Sequence, residues 1–127
     1  MRVITISDWI LRIGVLLAII LGILLWTGNF DAIRPIHMLI GIIVVLALWT
    51  IGLAQGFQKG GSFGLATATF VVGLALVIVG LYQDFWLIGS LHWIIQVIHL
   101  LLGLSTIGLG EMIAGRTRRR AREASVA

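Results

Sequence analysis

Apolar residues occur along the chain in four long stretches, which are separated by short connections rich in polar residues and glycine. The stretches cover about residues 9–27, 35–55, 63–82 and 91–114. An α-helix needs roughly 20 consecutive apolar residues to cross the hydrocarbon core of a bilayer. Because the connections are short, neighbouring helices should run antiparallel. The pattern predicts an all-α fold, an integral membrane four-helix up-down bundle that forms one domain over residues 1–127.

The composition supports a lipid bilayer as the surroundings of these helices. Of the 127 residues, 60% are hydrophobic and 11% are charged, whereas a soluble domain carries roughly 25% charged residues. A soluble enzyme and a nucleic-acid-binding domain are therefore excluded, and no nucleic acid is expected as a partner. The formal net charge of +4 is concentrated in a basic tail over residues 115–127, which contains five arginines: Arg116, Arg118, Arg119, Arg120 and Arg122.

The distribution of Lys and Arg predicts the orientation of the bundle. Eight of the nine lie on one side of the predicted bundle, and Arg34 lies alone on the other. Cytoplasmic connections of membrane proteins carry the excess of Lys and Arg. We therefore expect an integral protein of a bacterial cytoplasmic membrane, with both termini in the cytoplasm. Arg12 should extend toward the lipid headgroups, and Glu111 should pair with an arginine of the tail.

Glycines are spaced for close contacts between helices. Gly52 and Gly56 form a GxxxG motif near the end of the second stretch, and small residues on one face let membrane helices approach closely. Other glycines recur at two-turn spacing: Gly14 and Gly22, and Gly73 and Gly80. These positions predict a tight bundle or contacts between copies of the chain.

Three histidines interrupt the apolar background: His37, His92 and His99. Ionisable groups inside membrane spans are costly and are candidates for function. His37 and His99 lie in an internal repeat, because residues 36–41 and 98–103 both read I-H-x-L-x-G. The repeat suggests two duplicated helical hairpins in which His37 and His99 occupy equivalent positions and face each other across the bundle.

A glycine follows each repeated histidine after four residues, at Gly41 and Gly103. Positions i and i+4 lie on one helix face, so each glycine leaves a flat patch one turn from an imidazole. Two such imidazoles on facing helices suit a haem b with His37 and His99 as the axial ligands of the iron. The chain contains no cysteine, which excludes iron–sulfur clusters and thioether-linked haem but not haem b.

His92 is the competing partner for His37. Counted from the outer ends of the helices, His37 and His92 match in depth, whereas counting from the cytoplasmic ends matches His37 with His99. The residue four positions after His92 is Gln96, so His92 does not share the repeat. It could bind a haem propionate, line an entry point, face water or be the true axial partner of His37. The repeat favours His99.

Two other interpretations of the histidines stay open at this point. The rings could simply form hydrogen bonds across helices to the backbone, Ser or Thr, or they could handle protons or ions. A zinc site is disfavoured because no carboxylate lies at ligand spacing from the histidines.

The arrangement resembles one four-helix half of the heme A synthase family. Members of that family have two such halves, with histidines near the outer side of the second and fourth helix of each. One pair ligates haem b, and the other belongs to the site that acts on the haem substrate. The matching residues are His37 in RPIHMLIG and His99 in QVIHLLLG, and residues 73–83 (GLALVIVGLYQ) resemble the third helix of a half.

This chain departs from the catalytic pattern of that family. The family's catalytic half has a glutamate shortly before a histidine–arginine pair, whereas residues 34–38 here read Arg-Pro-Ile-His-Met. The resemblance therefore argues against catalysis of haem hydroxylation and for haem binding or electron transfer, with a quinone or another redox protein as the partner. A homodimer or a larger membrane complex would restore an eight-helix assembly. The alternative function is that of a non-catalytic, structural small subunit of a larger membrane complex.

Overall fold

Four long α-helices account for most of the chain in the computed structural model, which describes residues 2–127. They are α1 (Arg2–Trp26), α2 (Arg34–Gly56), α3 (Phe63–Tyr82) and α4 (His92–Val126). Short 3₁₀ turns over Asp31–Ile33 and Gln83–Phe85 precede α2 and follow α3. No β-strand occurs within residues 2–127, and the prediction of an all-α fold with four helices is confirmed for this part of the chain.

Local sequence features account for where α2 and α3 begin. Pro35 lies in the first turn of α2, where its missing N–H costs no helical hydrogen bond. The hydroxyl of Ser62 accepts a hydrogen bond from the Leu65 amide at 3.3 Å and caps α3. At the start of α4, Leu91 precedes the first helical residue, and no side chain caps that end.

Contacts between the helices define an alternating bundle. Gly14 of α1 lies against Val44 of α2, and Gly22 lies against His37, so these two helices run antiparallel. Each of α1 and α3 contacts both α2 and α4. Helices α2 and α4 also contact each other, so they form the central diagonal of the bundle and place their facing side chains at its centre.

Each helix is long and apolar enough to cross a membrane. The candidate spans are Arg2–Trp26, Asp31–Gly56, Phe63–Phe85 and His92–Val126. Large apolar side chains such as Ile13, Leu39 and Leu101 are more than half exposed on the outside of the bundle. This outer surface is what a bundle of membrane helices presents to lipid, and it fits the composition.

The buried core occupies only one end of the bundle. We call residues 2–15, 44–76 and 106–127 the terminal half, because it contains both chain ends, and residues 16–43 and 77–105 the distal half. The terminal half contains nearly all buried residues, among them Ile4, Leu11, Val15, Val44, Leu48, Ile51 and Ile113. In the distal half only Ile95 is buried. Far fewer residues are therefore buried at the distal end, where all three histidines lie.

Candidate functional site

His37 and His99 are neighbours at the centre of the distal half. Their ring centroids are 6.1 Å apart, and the ring planes are tilted by 58°. Each ring projects from one helix of the central diagonal, His37 from α2 and His99 from α4. Since both helices contact each other directly, the two imidazoles approach across the middle of the bundle.

His92 lies apart from this pair. It is the first residue of α4, and its Nδ1 lies 3.3 Å from the carbonyl oxygen of Trp86 in the connection between α3 and α4. The structure thus brings together His37 and His99, the two histidines of the internal repeat, and engages His92 with the backbone at the distal end of the bundle.

Each ring of the pair packs against a glycine on the preceding helix. A Cβ atom added to Gly22 would lie 3.3 Å from Cε1 of His37, and one added to Gly80 would lie 3.0 Å from Cε1 of His99. Sequence reasoning had assigned both glycines to helix packing alone. One sequence feature does indicate their role: Gly22 and Gly80 each lie near the end of the first helix of a predicted hairpin.

The glycines that follow the two histidines border open space. A Cβ atom added to Gly41 or to Gly103 would meet no atom within 4 Å. Each of these glycines lies one turn from its histidine on the same helix face, and no neighbouring atom fills the position of its missing Cβ atom. All four helices therefore contribute a glycine next to the pair: Gly22, Gly41, Gly80 and Gly103.

Each ring of the pair has one buried polar atom without a partner. Nδ1 of His37 and Nδ1 of His99 are both buried without a hydrogen-bond partner in the described part of the chain. The carbonyl of Ala18 on α1 is a candidate acceptor for the His37 ring. A buried polar atom without a partner costs free energy, which marks the pair as a candidate site.

An ion pair lies at the distal end, just beyond the histidine pair. Arg34 donates a hydrogen bond to the carboxylate of Asp84, which lies in the 3₁₀ turn after α3. An oxygen of the Asp31 carboxylate lies 3.3 Å from the same guanidinium. All three side chains are about half or more exposed. This pairing joins the start of α2 to the connection between α3 and α4.

A second ionic network lies in the terminal half, between α1 and α4. Arg12 Nη2 lies 3.0 Å from Oδ2 of Asp8 and donates a hydrogen bond of 2.9 Å to Oε2 of Glu111. Arg118 lies 3.7 Å from the Asp8 carboxylate. The prediction that Glu111 pairs with a tail arginine is wrong, because the antiparallel packing of α1 on α4 sets Arg12 opposite Glu111. Extension of Arg12 toward lipid headgroups stays a prediction.

The donor set of the histidine site is limited to two imidazoles. Within residues 2–127, no group of three or more His, Asp or Glu side chains is arranged to hold a metal ion. Two imidazoles do suffice for the axial positions of a haem iron, because the macrocycle supplies the remaining four nitrogen ligands.

Comparisons with protein families, with curated proteins and with solved structures found no match to this chain. The function of this chain is therefore inferred from the geometry of the histidine pair and from the sequence repeat that contains both histidines.

Proposed function

We propose that this chain is an integral membrane protein that binds haem b between His37 and His99 and serves in haem binding or electron transfer. The observation that carries the proposal is the pair of facing imidazoles at the centre of the distal half. Four apolar helices long enough to span a bilayer support the membrane location.

The separation of the rings fits two axial ligands of one metal ion. With metal–nitrogen bonds of about 2 Å, the centroids of two imidazoles on opposite sides of a metal lie about 6 Å apart. The centroids of His37 and His99 are 6.1 Å apart.

The surroundings of the pair fit a flat apolar macrocycle. No neighbouring atom lies within 4 Å of a Cβ atom added to Gly41 or Gly103, so the face next to each histidine is free of packed side chains at that position. The walls are mainly Leu, Ile and Val, which exclude water and match the apolar faces of a porphyrin. Gly22 and Gly80 let the imidazoles lie close to α1 and α3 and so set how the rings are oriented.

The bound group would supply reversible one-electron oxidation and reduction of its iron. The chain itself would hold the two rings in place and surround them with apolar side chains. The only acidic residues of the distal half are Asp31 and Asp84, and both are paired with Arg34. No carboxylate is thus free to move a proton beside the pair, which favours binding or electron transfer over chemical modification of haem.

Two further features belong to the proposal. The excess of Lys and Arg at the terminal end favours a cytoplasmic location for both termini, which places the histidine pair toward the outer side of the membrane. The equivalent settings of Gly22–His37–Gly41 and Gly80–His99–Gly103 favour two duplicated hairpins in this chain.

The direct test is an absorption spectrum of the protein purified in detergent from cells supplied with a haem precursor. We expect a Soret band that sharpens and shifts on reduction with dithionite. His37→Ala and His99→Ala should each abolish the low-spin spectrum, and His92→Ala, the matched control, should retain it.

Two outcomes would contradict parts of the proposal. A colourless wild-type protein that also fails to bind added haem would overturn haem binding and favour a structural role in a larger membrane complex. Loss of the low-spin spectrum in His92→Ala, together with its retention in His99→Ala, would overturn the assignment of the axial pair.

A further inference from the structure

Arg34 is the only Lys or Arg in the distal half of the sequence. It lies three residues before His37 in α2, and residues at that spacing share one helix face. Arg34 therefore lies about one helical turn before His37 in α2, on the side toward the distal end.

Asp84, the partner of Arg34, has a similar relation to the other histidine. It follows Gly80 by four residues, and Gly80 is the residue against which the His99 ring packs. The Arg34–Asp84 pair consequently joins the start of α2 to the turn after α3. Along both helices it lies on the distal side of the residues that form the histidine pair.

The pairing of Arg34 can be exchanged at little cost. Both side chains are about half exposed, and ion pairs between exposed groups contribute only about 0–1 kcal/mol. A guanidinium offers five N–H donors in a planar fork that matches a carboxylate. With Asp31 also in contact, two carboxylates share one cation, and Asp84 would be readily hydrated if another carboxylate replaced it.

We propose that Arg34 is the receptor for the carboxylate groups of the bound porphyrin, and that it exchanges Asp84 for a propionate when the cofactor enters. This inference rests on the proposed haem site. The apolar macrocycle of haem b carries two propionates, which need water or a cation, and Arg34 is the one cation that the chain places on the distal side of the histidine pair. Arg34 thereby orients the porphyrin so that its polar edge faces the distal surface.

The test compares protohaem with its dimethyl ester, in which both carboxylates are blocked but the iron and macrocycle are unchanged. Dissociation constants of both porphyrins are measured by Soret titration of the full chain in one detergent. The ratio of the two constants reports how strongly the protein recognises the carboxylates. Dividing the ratio for a variant by that for the wild type cancels the different solubilities of the porphyrins.

We expect Arg34→Gln to reduce the preference for protohaem over its ester by about 3- to 10-fold, the range for a charged hydrogen bond that is partly exposed. Arg34→Lys should retain part of the preference. Asp84→Asn is the matched control, because it breaks the same ion pair but keeps the cation, and it should retain or increase the preference.

The outcomes separate this inference from the function on which it rests. Wild-type protein that binds neither porphyrin would overturn the haem site itself. Wild-type protein that binds both, with the same preference in Arg34→Gln, would overturn only the role of Arg34. An equal loss of the preference for protohaem in Arg34→Gln and Asp84→Asn would overturn the role of Arg34 and show that the ion pair only stabilises the structure. Loss of the preference in His92→Gln alone would assign recognition of the carboxylates to His92.

Discussion

Each imidazole of the histidine pair packs against a glycine, Gly22 for His37 and Gly80 for His99. Gly22 and Gly80 lie on the helices that precede those of His37 and His99, and a Cβ atom at either position would press on Cε1 of the facing ring. A distance of 3.0 Å at Gly80 is shorter than ordinary van der Waals contact, so the ring would have to move. Glycine at these positions therefore fixes where the imidazoles can lie.

Gly80→Ala tests this dependence. The added methyl group should displace the His99 ring at a cost of about 1–3 kcal/mol, as for other overpacked sites, and weaken haem binding by about 10-fold. Gly108→Ala is the control, because a Cβ atom there meets nothing within 4 Å. Soret titration measures both variants, and equal affinities in the two would contradict a role of Gly80 in positioning the ring.

Sequence reasoning at the residue scale succeeded where a local repeat was present. The I-H-x-L-x-G repeat singled out His37 and His99, which the structure places side by side. It failed for Glu111, whose partner Arg12 lies on a helix at the other end of the chain. That pairing depends on how α1 is aligned along α4, and no local sequence feature specifies such an alignment.

The GxxxG motif is used between two helices of the same chain. A Cβ atom on Gly52 would overlap the Thr69 hydroxyl, and one on Gly56 would lie 3.3 Å from Cβ of Ala66. Both partners belong to α3, so α2 and α3 approach closely along this motif. An assembly of several copies would need a different surface.

Gly52→Ala should separate α2 from α3, because the Thr69 side chain is buried and its hydroxyl donates a hydrogen bond to the Ala66 carbonyl at 2.8 Å. We expect a loss of about 1–3 kcal/mol in the free energy of unfolding. Gly115→Ala, on an open face of α4, is the control and should change stability little. Unfolding in SDS followed by circular dichroism measures both, and a Gly52→Ala protein as stable as Gly115→Ala would contradict this interface.

The bounds of the helices show what apolar patterning can and cannot predict. The four apolar stretches predicted the number and order of the helices, yet α4 runs to Val126, well beyond the apolar stretch that ended near residue 114. Five Arg and three Ala make up most of the 13 tail residues, and both are good helix formers. Hydropathy reports where lipid can surround a helix, whereas helix propensity decides how far the helix continues into water.

At the scale of the whole molecule, an ionic network closes the bundle between its first and last helices. Asp8 is 2% exposed, and its main partner is Arg12, which also binds Glu111 of α4. A buried carboxylate without a close cation is costly. The network therefore makes the contact of α1 with α4 depend on Arg12.

Arg12→Leu should destabilise the fold more than removal of the whole pair. The single change leaves Asp8 buried with only Arg118 nearby, at 3.7 Å, and breaking a buried pair costs about 3–5 kcal/mol. Asp8→Leu combined with Arg12→Leu should recover much of that loss. Arg119→Ala breaks an exposed pair with Glu123 and should cost less than about 0.5 kcal/mol. A double variant less stable than Arg12→Leu in SDS unfolding would contradict this account.

The uneven distribution of buried residues predicts which half of the bundle a bound cofactor would stabilise. The terminal half has a buried core and an ionic network, whereas the distal half has one buried residue, Ile95, and an exposed ion pair between Arg34 and Asp84. A ligand at 100 times its dissociation constant stabilises the native state by about 2.7 kcal/mol. The two histidines belong to α2 and α4 in the distal half. Stabilisation by a ligand bound between them should therefore oppose local opening of that half.

Hydrogen exchange measured by mass spectrometry, with and without haem, tests this distribution. We expect haem to slow exchange in peptides from residues 16–43 and 77–105 and to leave residues 2–15 and 106–127 nearly unchanged. The His99→Ala variant should show no such protection, since its axial pair is incomplete. Protection spread evenly over both halves, or confined to the terminal half, would mean that haem binds elsewhere. Protection of the distal half in the wild type but not in His99→Ala would show that haem stabilises this half through the histidine pair.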